Sequence, residues 1–553
     1  MSTTQRFIPE RLKTLLQRYD IATAFPAEVE AEVRRLIDAP GMDTPELVDR
    51  TGLPFVTIDN PGSRDLDQAL FIEGLAAENG SGAGYVVYYA LADGSFYAPP
   101  GSALFEEALR RGVTQYFPGF SAPMLPPELS EGLVSLNEDC IRRALLFRIS
   151  LDEQGECVES TFERARIRSR AKLSYPQVQD YLDAHDPSAH PLAAQLYSSS
   201  LQLLKRVGGL RIADALQRDV VRYDRQEVEV EPATDDPQYF RVVARRRCAV
   251  EEWNAQISLL CNIEGARFLA QRRDPRLDIE GIFRVHPPPG PEAIREFASW
   301  VERFVDSLDL DPDVWHWRRW QPYQESLADY IERLPDDGDA GRISMAIQRQ
   351  AMLLNRRAQY SVTRGRHHAI GTPHYSRFSS PMREVIGILT HHLAICQQQQ
   401  HPVNLDRELV DRVVESGNRM SALQKQINRD TVKLAMDDLL NTDLRILRDG
   451  GTAPVRIGTL MGATTGKLHV RLDSPPVDVK LYVPAIREYG GVSLSVDEDE
   501  TRVFEANDGG QLRLVAHLGG RIAVRAMGYD DKKERWILGP CPKDALQEFP
   551  IDR

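Results

Sequence analysis

The spacing of apolar side chains changes period three times along the chain. Up to about residue 48 it is helical, and two helices are expected. In the second, Pro26 suits the first turn, and Val29, Val33, Leu36 and Ile37 make one apolar face. From Phe55 the pattern turns to strand, in FVTID, then ALFI, then YVVYYAL at 85–91. Between about 171 and 445 helical periods dominate. In EEWNAQISLLCNIEGARFLAQR, for example, Trp253, Ile257, Leu260, Cys261 and Phe268 share a face. The last hundred residues alternate in short runs, VRIGTL, KLHVRL, VKLYV, RIAVRAM and RWIL, parted by turn residues in DSPP, NDGG and YDDKK. Five short strands of this kind suit a small barrel, an OB-fold above all. The expected organisation is α+β: a helical segment at 1–48, a large domain at 49–447 and an all-β barrel at 448–553.

Composition narrows the class. A chain of 553 residues exceeds what one core serves, and 42% hydrophobic with 27% charged residues is ordinary for a globular protein. No apolar run approaches the roughly 18 residues that span a bilayer, and MSTTQRFIPERLKTLL lacks the apolar core of a signal peptide. Six scattered cysteines without a CxxC pair argue against a zinc site or disulfide framework, so a reducing cytoplasm is expected. The net charge of −13 opposes an open nucleic-acid surface, although a basic channel can sit inside an acidic exterior. FERARIRSRAK at 162–172 and ARRRC at 244–248 are the local basic clusters; each reads equally as a solvated helix or strand face.

The candidate chemistry lies in VTIDNPGSRDLDQAL at 56–70, where Asp59, Asp65 and Asp67 crowd around a Pro-Gly turn. In extended chain Asp65 and Asp67 share a face while Leu66 packs inward, and the turn can bring Asp59 back beside them. Clustered carboxylates repel unless a cation neutralises them, and oxygen ligands suit Mg²⁺ or Mn²⁺. Two such ions roughly 4 Å apart can drive phosphodiester hydrolysis. By spacing alone, an acidic surface turn is the commoner reading of such residues.

The wider sequence changes the weighing. VTIDNPGSRDLDQAL resembles the acidic signature of the ribonuclease II and ribonuclease R family, whose catalytic domain is called RNB. ALADGSFYAPPGS and RRGVTQYFPGFSAPMLPPELSEGLVSL within 90–136, IRSRAKLSYPQV at 167–178, VEEWN at 250–254 and RFSSPMRE at 377–384 resemble later blocks in the family's order. The resemblance implies a mixed sheet surrounded by helices and an RNA-binding OB-fold at the C-terminus. It implies that Asp59, Asp65 and Asp67 are three of four metal-site aspartates, with Asp67 the most essential. Tyr116 and Tyr175 then stand for aromatics that hold the RNA end. Glu251, with Glu252 adjacent, stands for an acid near the terminal ribose, and Arg383 for the arginine on the scissile phosphate. Read from the residues, Ser380 is an N-cap and Pro381 a first helical residue, which places Arg383 at a positive helix end.

Several positions depart from the pattern. Gln68 replaces the fourth aspartate; its carbonyl can still ligate a hard cation, and Asp93 is a candidate to restore the missing charge. Glu384 and Val385 replace a basic residue and a tyrosine, and Gly387 a common aspartate. Arg218 stands near the place of an aromatic clamp, and Asn428 in that of a late acid. About 48 leading residues stand where ribonuclease II carries two cold-shock domains. The resemblance implies a cytoplasmic exoribonuclease that uses Mg²⁺ or Mn²⁺, two ions in the active complex. It would remove 5′-mononucleotides from a free 3′ end of single-stranded RNA, with no membrane and no obligate protein partner. Gln68 and Gly387 motivate a non-catalytic RNA-binding alternative. The metal chemistry alone also allows an endonuclease or a DNA nuclease.

Overall fold

The computed structural model describes residues 8–76, 84–223, 227–271, 280–319, 324–403, 405–506 and 511–541. It divides into two compact units. The first comprises 1–220, 247–287 and 357–427, and the second 221–246, 288–356 and 428–553. The linear boundaries expected near 48 and 448 are therefore not where the compact units part. Helices Glu10–Arg18 and Ala27–Asp38 belong to the first unit, and Val29 and Val33 pack into its core.

The first unit is built on a sheet of β1 (Val48–Asp49), β2 (Phe55–Asp59), β3 (Gln68–Leu75) and β4 (Gly84–Ala92), completed by later strands. A short hairpin of β5 (Gln115–Phe117) and β6 (Phe120–Ala122) precedes the long partners β7 (Ile141–Leu151) and β8 (Cys157–Ser174). The order is β1-β8-β2-β3-β4-β7, and β8 also pairs with β7. Over its first two-thirds β8 runs antiparallel to β7; over its last third it runs parallel to β2. One 18-residue strand thus closes the sheet on itself. Phe55, Leu70, Tyr89, Leu91, Leu145 and Phe147 are buried in its core.

The basic cluster at 162–172 falls inside β8. Ala165, Ile167 and Ala171 are buried, and the arginines from Arg164 to Arg170 alternate with them on the other face. Arg164 pairs with Asp93, Arg166 with Asp49 and Arg168 with Asp139, while Arg170 donates to the Thr51 carbonyl. These charges are spent within the fold. Helical periodicity was expected to dominate from about 171, but residues up to Ser174 stay in β8 and the helix Tyr175–Asp183 follows. Ser174 caps that helix in a capping box with Gln177, and Pro176 lies in its first turn.

In the second unit, the C-terminal strands form a five-stranded sheet in which Arg456–Thr464 lies centrally. Lys467–Leu472 and Asp478–Tyr482 lie to one side, and Arg521–Asp530 and Arg535–Pro540 to the other. The helix Val483–Gly490 follows the third strand, which is the order of an OB-fold. Three further strands at 493–517 form a separate sheet that the alternation did not separate out. Leu468, Val470, Leu481, Ile522 and Val524 fill the core of this unit with Phe304, Tyr330 and Ile347.

Helices Ser198–Gln217 and Ala249–Ala270 meet in the first unit at Gly208, where an added Cβ would lie 2.4 Å from the Trp253 Cβ and 2.7 Å from its Cα. The next residue, Gly209, faces open space. Helix propensity alone favours alanine at both by about 1 kcal/mol. Gly209→Ala should raise the midpoint of thermal unfolding, whereas Gly208→Ala should lower it, the clash costing about 1–3 kcal/mol. Equal shifts for the two variants would contradict this packing.

Candidate functional site

β2 and β3 are antiparallel with Val56 opposite Leu70, and β2 and β8 are parallel with Asp59 opposite Ser174. Continuing the first register sets Asp59 level with Asp67, and the second sets Asp59 beside the start of the Tyr175 helix. The intervening acidic loop is held from outside. The Leu66 amide donates to Ser135 Oγ at 3.0 Å, and Ser135 Oγ donates to the Arg64 carbonyl at 2.7 Å. Leu66 is buried, as its alternation with the aspartates implied.

Asp67 does not face water. Its side chain is 1% exposed; Oδ1 accepts the Met382 amide at 2.9 Å and Oδ2 accepts Arg383 Nε at 2.5 Å. Burial pushes the Asp67 carboxyl up to about 6. Arg383 and the Met382 amide oppose this, and the neighbouring Asp65 adds to it. Burial also raises Asp65, against Arg383 and with Asp59 and Glu131. For Arg383, burial disfavours the charge, but Asp67, Tyr116, Asp65 and Asp59 hold the guanidinium firmly protonated. Three carboxylates and one guanidinium share one field.

The tyrosines border that field. Tyr116 lies on the β5–β6 hairpin, whose backbone is pinned by Gln424: its amide donates to Gln424 Oε1 at 2.7 Å and its carbonyl accepts Nε2 at 3.0 Å. The residue is 45% exposed, yet its hydroxyl bonds to Arg383; burial of that phenol pushes it up to about 12. Tyr175 is pushed to about 12 by burial, with Asp59 and Glu251 adding to the shift, and its hydroxyl accepts Asn254 Nδ2 at 3.3 Å. Glu251 sits at the third position of the Ala249–Ala270 helix, where its carboxylate also accepts the Cys248 amide at 3.4 Å. The structure thus brings Asp59, Asp65, Asp67, Tyr116, Tyr175, Glu251 and Arg383 together.

Other expectations are corrected. Ser380 does not cap a helix, and Arg383 is not in a first helical turn; the helix is Val385–Gln398 with an extended Glu384 before it. Glu384 forms a bridge to Val113, and the Thr114 amide binds the Arg383 carbonyl at 2.9 Å, so the chain is drawn straight at that point. Residues 380–384 form a tight turn instead, with the Arg383 and Glu384 amides both returning to the Ser380 carbonyl. Gly387 leaves room for it, since an added Cβ would lie 3.0 Å from Pro381 Cα. Gln68 has both polar ends engaged: Nε2 donates to the Ser379 carbonyl at 2.8 Å and Oε1 accepts the Tyr89 hydroxyl. Asp93 is fully buried against Arg143 and Arg164 and does not restore a charge to the site. Arg218 pairs with Asp214 at 2.7 Å, and Asn428 lies in the second unit.

Asn262 is the residue that sequence reasoning missed. Buried midway along the Ala249–Ala270 helix, its Oδ1 accepts the Phe378 and Ser379 amides at 2.7 and 3.1 Å. Its Nδ2 donates to Ser379 Oγ at 2.9 Å and to the Tyr375 hydroxyl at 3.1 Å. One turn on, Gly265 makes room for the Phe378 ring. A carboxamide within the apolar run LLCNIEG was the available signal.

Among the described residues, no three His, Cys, Asp or Glu side chains are gathered as a metal cage. Asp59 Oδ1 accepts the Asn60 amide and Ser63 Oγ, and Asp67 is held as above. The donor set nevertheless fits a hard cation in kind: three carboxylates, two of them raised by burial and repulsion that a divalent ion would relieve. With Gln68 engaged elsewhere, Asp59, Asp65 and Asp67 are the residues that could hold one.

Residues 48–394 match the family profile described as "RNB domain". The chain belongs to that family. Ribonuclease R of Escherichia coli (strain K12) is 26% identical over 541 residues, 94% of this chain and 60% of that protein. The chain therefore spans about three-fifths of the length of this curated relative. Among solved structures, Mycoplasma genitalium RNase R in complex with ribose-methylated single-stranded RNA shares the fold at TM-score 0.78 and 20% identity, covering 96% of this chain and 78% of its own. Yeast Ssd1, described as a pseudonuclease, is similar at TM-score 0.60 and 15% identity over 85% of this chain and 53% of its own. Both the acidic loop and the 377–384 turn lie inside the RNB match.

The raised Asp67 gives a pH signature. The folded state keeps this proton to about pH 6, while an unfolded aspartate releases it near 4. Between those values the folded state binds more protons, so this group's contribution to stability falls as pH rises, by about 3 kcal/mol in all. Urea unfolding from pH 4 to 7 should show that decline in the wild type relative to Asp67→Asn. A difference independent of pH would contradict the raised pKa.

Proposed function

We propose that the protein is a divalent-metal-dependent 3′→5′ exoribonuclease that hydrolyses single-stranded RNA to 5′-mononucleotides. The observation that carries this reading is the joining of Asp67 to Met382 and Arg383 across more than 300 residues, with Tyr116 and Tyr175 at its edge. It assembles carboxylates, a guanidinium and aromatic faces where a phosphodiester next to a strand end can be held.

Asp59, Asp65 and Asp67 would hold Mg²⁺ or Mn²⁺, which supplies an activated water and neutralises charge on the phosphate. The remaining work falls to the chain itself. Tyr116 and Tyr175 stack on the terminal bases, contacts worth roughly 1–3 kcal/mol each and indifferent to sequence. Glu251 accepts hydroxyls of the terminal ribose. Arg383, already held firmly protonated, exchanges its bond with Asp67 for the scissile phosphate and stabilises the charge that develops there. The OB-fold gathers RNA electrostatically and by stacking.

Two predictions follow from this division of labour. Asp67→Asn should lower hydrolysis of 5′-labelled RNA about a hundredfold or more while leaving RNA affinity, measured in EDTA, within a few-fold. Near wild-type cleavage would remove Asp67 from the chemistry. Because protons compete with the ion for Asp65 and Asp67, the Mg²⁺ concentration for half-maximal rate should fall as pH rises through about 6. A requirement that is flat with pH would separate those carboxylates from the metal.

A second reading has its own support. Gln68 stands where the family places a fourth aspartate, and both its polar ends are engaged; so are both oxygens of Asp67. On that reading the protein binds RNA without cutting it. Incubating 5′-labelled single-stranded RNA and DNA with Mg²⁺, Mn²⁺ or EDTA separates the cases. A shrinking ladder with released mononucleotides supports the exonuclease, internal fragments an endonuclease, and binding without turnover the pseudoenzyme.

A further inference from the structure

A second charged feature of the first unit lies behind the 380–384 turn. Strand Phe283–Val285 pairs with Gln359–Ser361, placing Arg284 opposite Tyr360. The Arg284 guanidinium lies 5.0 Å from the centre of the Tyr360 ring. Tyr360 is fixed on three sides: its amide donates to Asn418 Oδ1 at 2.8 Å, its carbonyl accepts Asn418 Nδ2 at 3.0 Å, and its hydroxyl donates to Glu384 at 2.5 Å. Beside this pair opens a cleft of about 380 Å³, lined also by Arg357, Arg419 and Lys425, with Glu415 the one acid on its wall.

Four cations and one carboxylate are an unusual lining in a chain of net charge −13. Among the described residues none of the four cations forms an ion pair. Burial lowers the Lys425 ammonium below its ordinary range, and Arg284 and Arg357 push it further down, so these charges repel one another across the cleft. Glu384, whose carboxylate Arg284 helps to keep charged, and Glu415 offset only part of this repulsion, and a fold with such an excess of cations is stabilised by an anion that enters. The guanidinium groups point to phosphate, which they bind in forked geometry. Arg419 and Lys425 are six residues apart on the helix Arg407–Arg448, roughly 9 Å along its axis. That spread suits a chain of phosphates better than one enclosed group.

The cleft shares supports with the candidate active site. Glu384, which receives the Tyr360 hydroxyl, follows Arg383 directly, and Gln424, which pins Tyr116, precedes Lys425. We propose that this cleft is a second RNA subsite, in which Arg284, Arg357, Arg419 and Lys425 hold backbone phosphates of single-stranded RNA away from the scissile bond. The proposal rests on the reading of the protein as an RNA-binding enzyme.

The test uses full-length protein in EDTA and fluorescein-labelled RNA of 5 and 15 nucleotides, with anisotropy read at several salt concentrations. The variant Arg357→Ala/Arg419→Ala/Lys425→Ala changes exposed side chains only, and its thermal unfolding is compared with wild type. The 15-mer should bind about tenfold more weakly at 0.1 M salt, and its slope of log affinity against log salt should fall by about 2, at roughly 0.7 per phosphate contact. Binding of the 5-mer, and its hydrolysis in Mg²⁺, should be unchanged. Restoring charge with Arg357→Lys/Arg419→Lys should leave the slope as in wild type. Unaltered 15-mer binding, or equal weakening of both lengths, overturns the subsite while leaving the exonuclease reading in place. If 5′-AMP or inorganic phosphate stabilises wild type but not the variant, with the RNA slope unchanged, the cleft takes free phosphate and the RNA proposal is wrong. A wild type that binds neither RNA overturns both.

Discussion

A buried carboxylate between an amide and a guanidinium organises the candidate site. Asp67 has left water for a position where burial disfavours its charge, and the Met382 amide and Arg383 are its compensation. Removing either partner leaves an uncompensated polar group inside the fold, a loss of several kcal/mol in comparable settings. That dependence locks the acidic loop and the 380–384 turn to each other. Gln68 and Asn262 act on the same turn through the Ser379 carbonyl and the Phe378 and Ser379 amides, so three polar side chains from two elements fix its backbone. Tyr116 and Tyr175 then take their places around a guanidinium that is already set.

Much of this was legible in the sequence because it depends on local pattern. The short apolar, β-rich runs FVTID and YVVYYAL mark β2 and β4. Inward packing of Leu66 follows from period 2 alone. What was not legible depends on distant pairing. The arginines of β8 look like a basic patch until the alternation is matched with Asp49, Asp93 and Asp139. Likewise, Ser380-Pro381 has the chemistry of a helix start, yet bridging of Glu384 to Val113 pulls the chain out of helical conformation there. Tertiary hydrogen bonds outweighed a local preference.

The division into compact units shows the same limit. Apolar periodicity tells helix from strand but not which helix shares a core with which strand. The second N-terminal helix, which pattern alone sets apart, buries Val29 and Val33 in the core of the first unit. Residues 221–246 and 288–356, inside the expected large domain, instead join the unit that holds the OB-fold strands.

The separation of Asp67 from Arg383 along the chain has a consequence for biosynthesis. The two are 316 positions apart, so a ribosome that has made the whole acidic loop has not yet made its counter-charge. A growing polypeptide therefore passes through a long stage in which Asp67 has no guanidinium to bury against and the pocket has no far wall. On the proposed function, a truncated product of interrupted translation that stops short of Arg383 carries no assembled cutting centre, and the messenger being read is spared by the polypeptide it encodes until that arginine has been added.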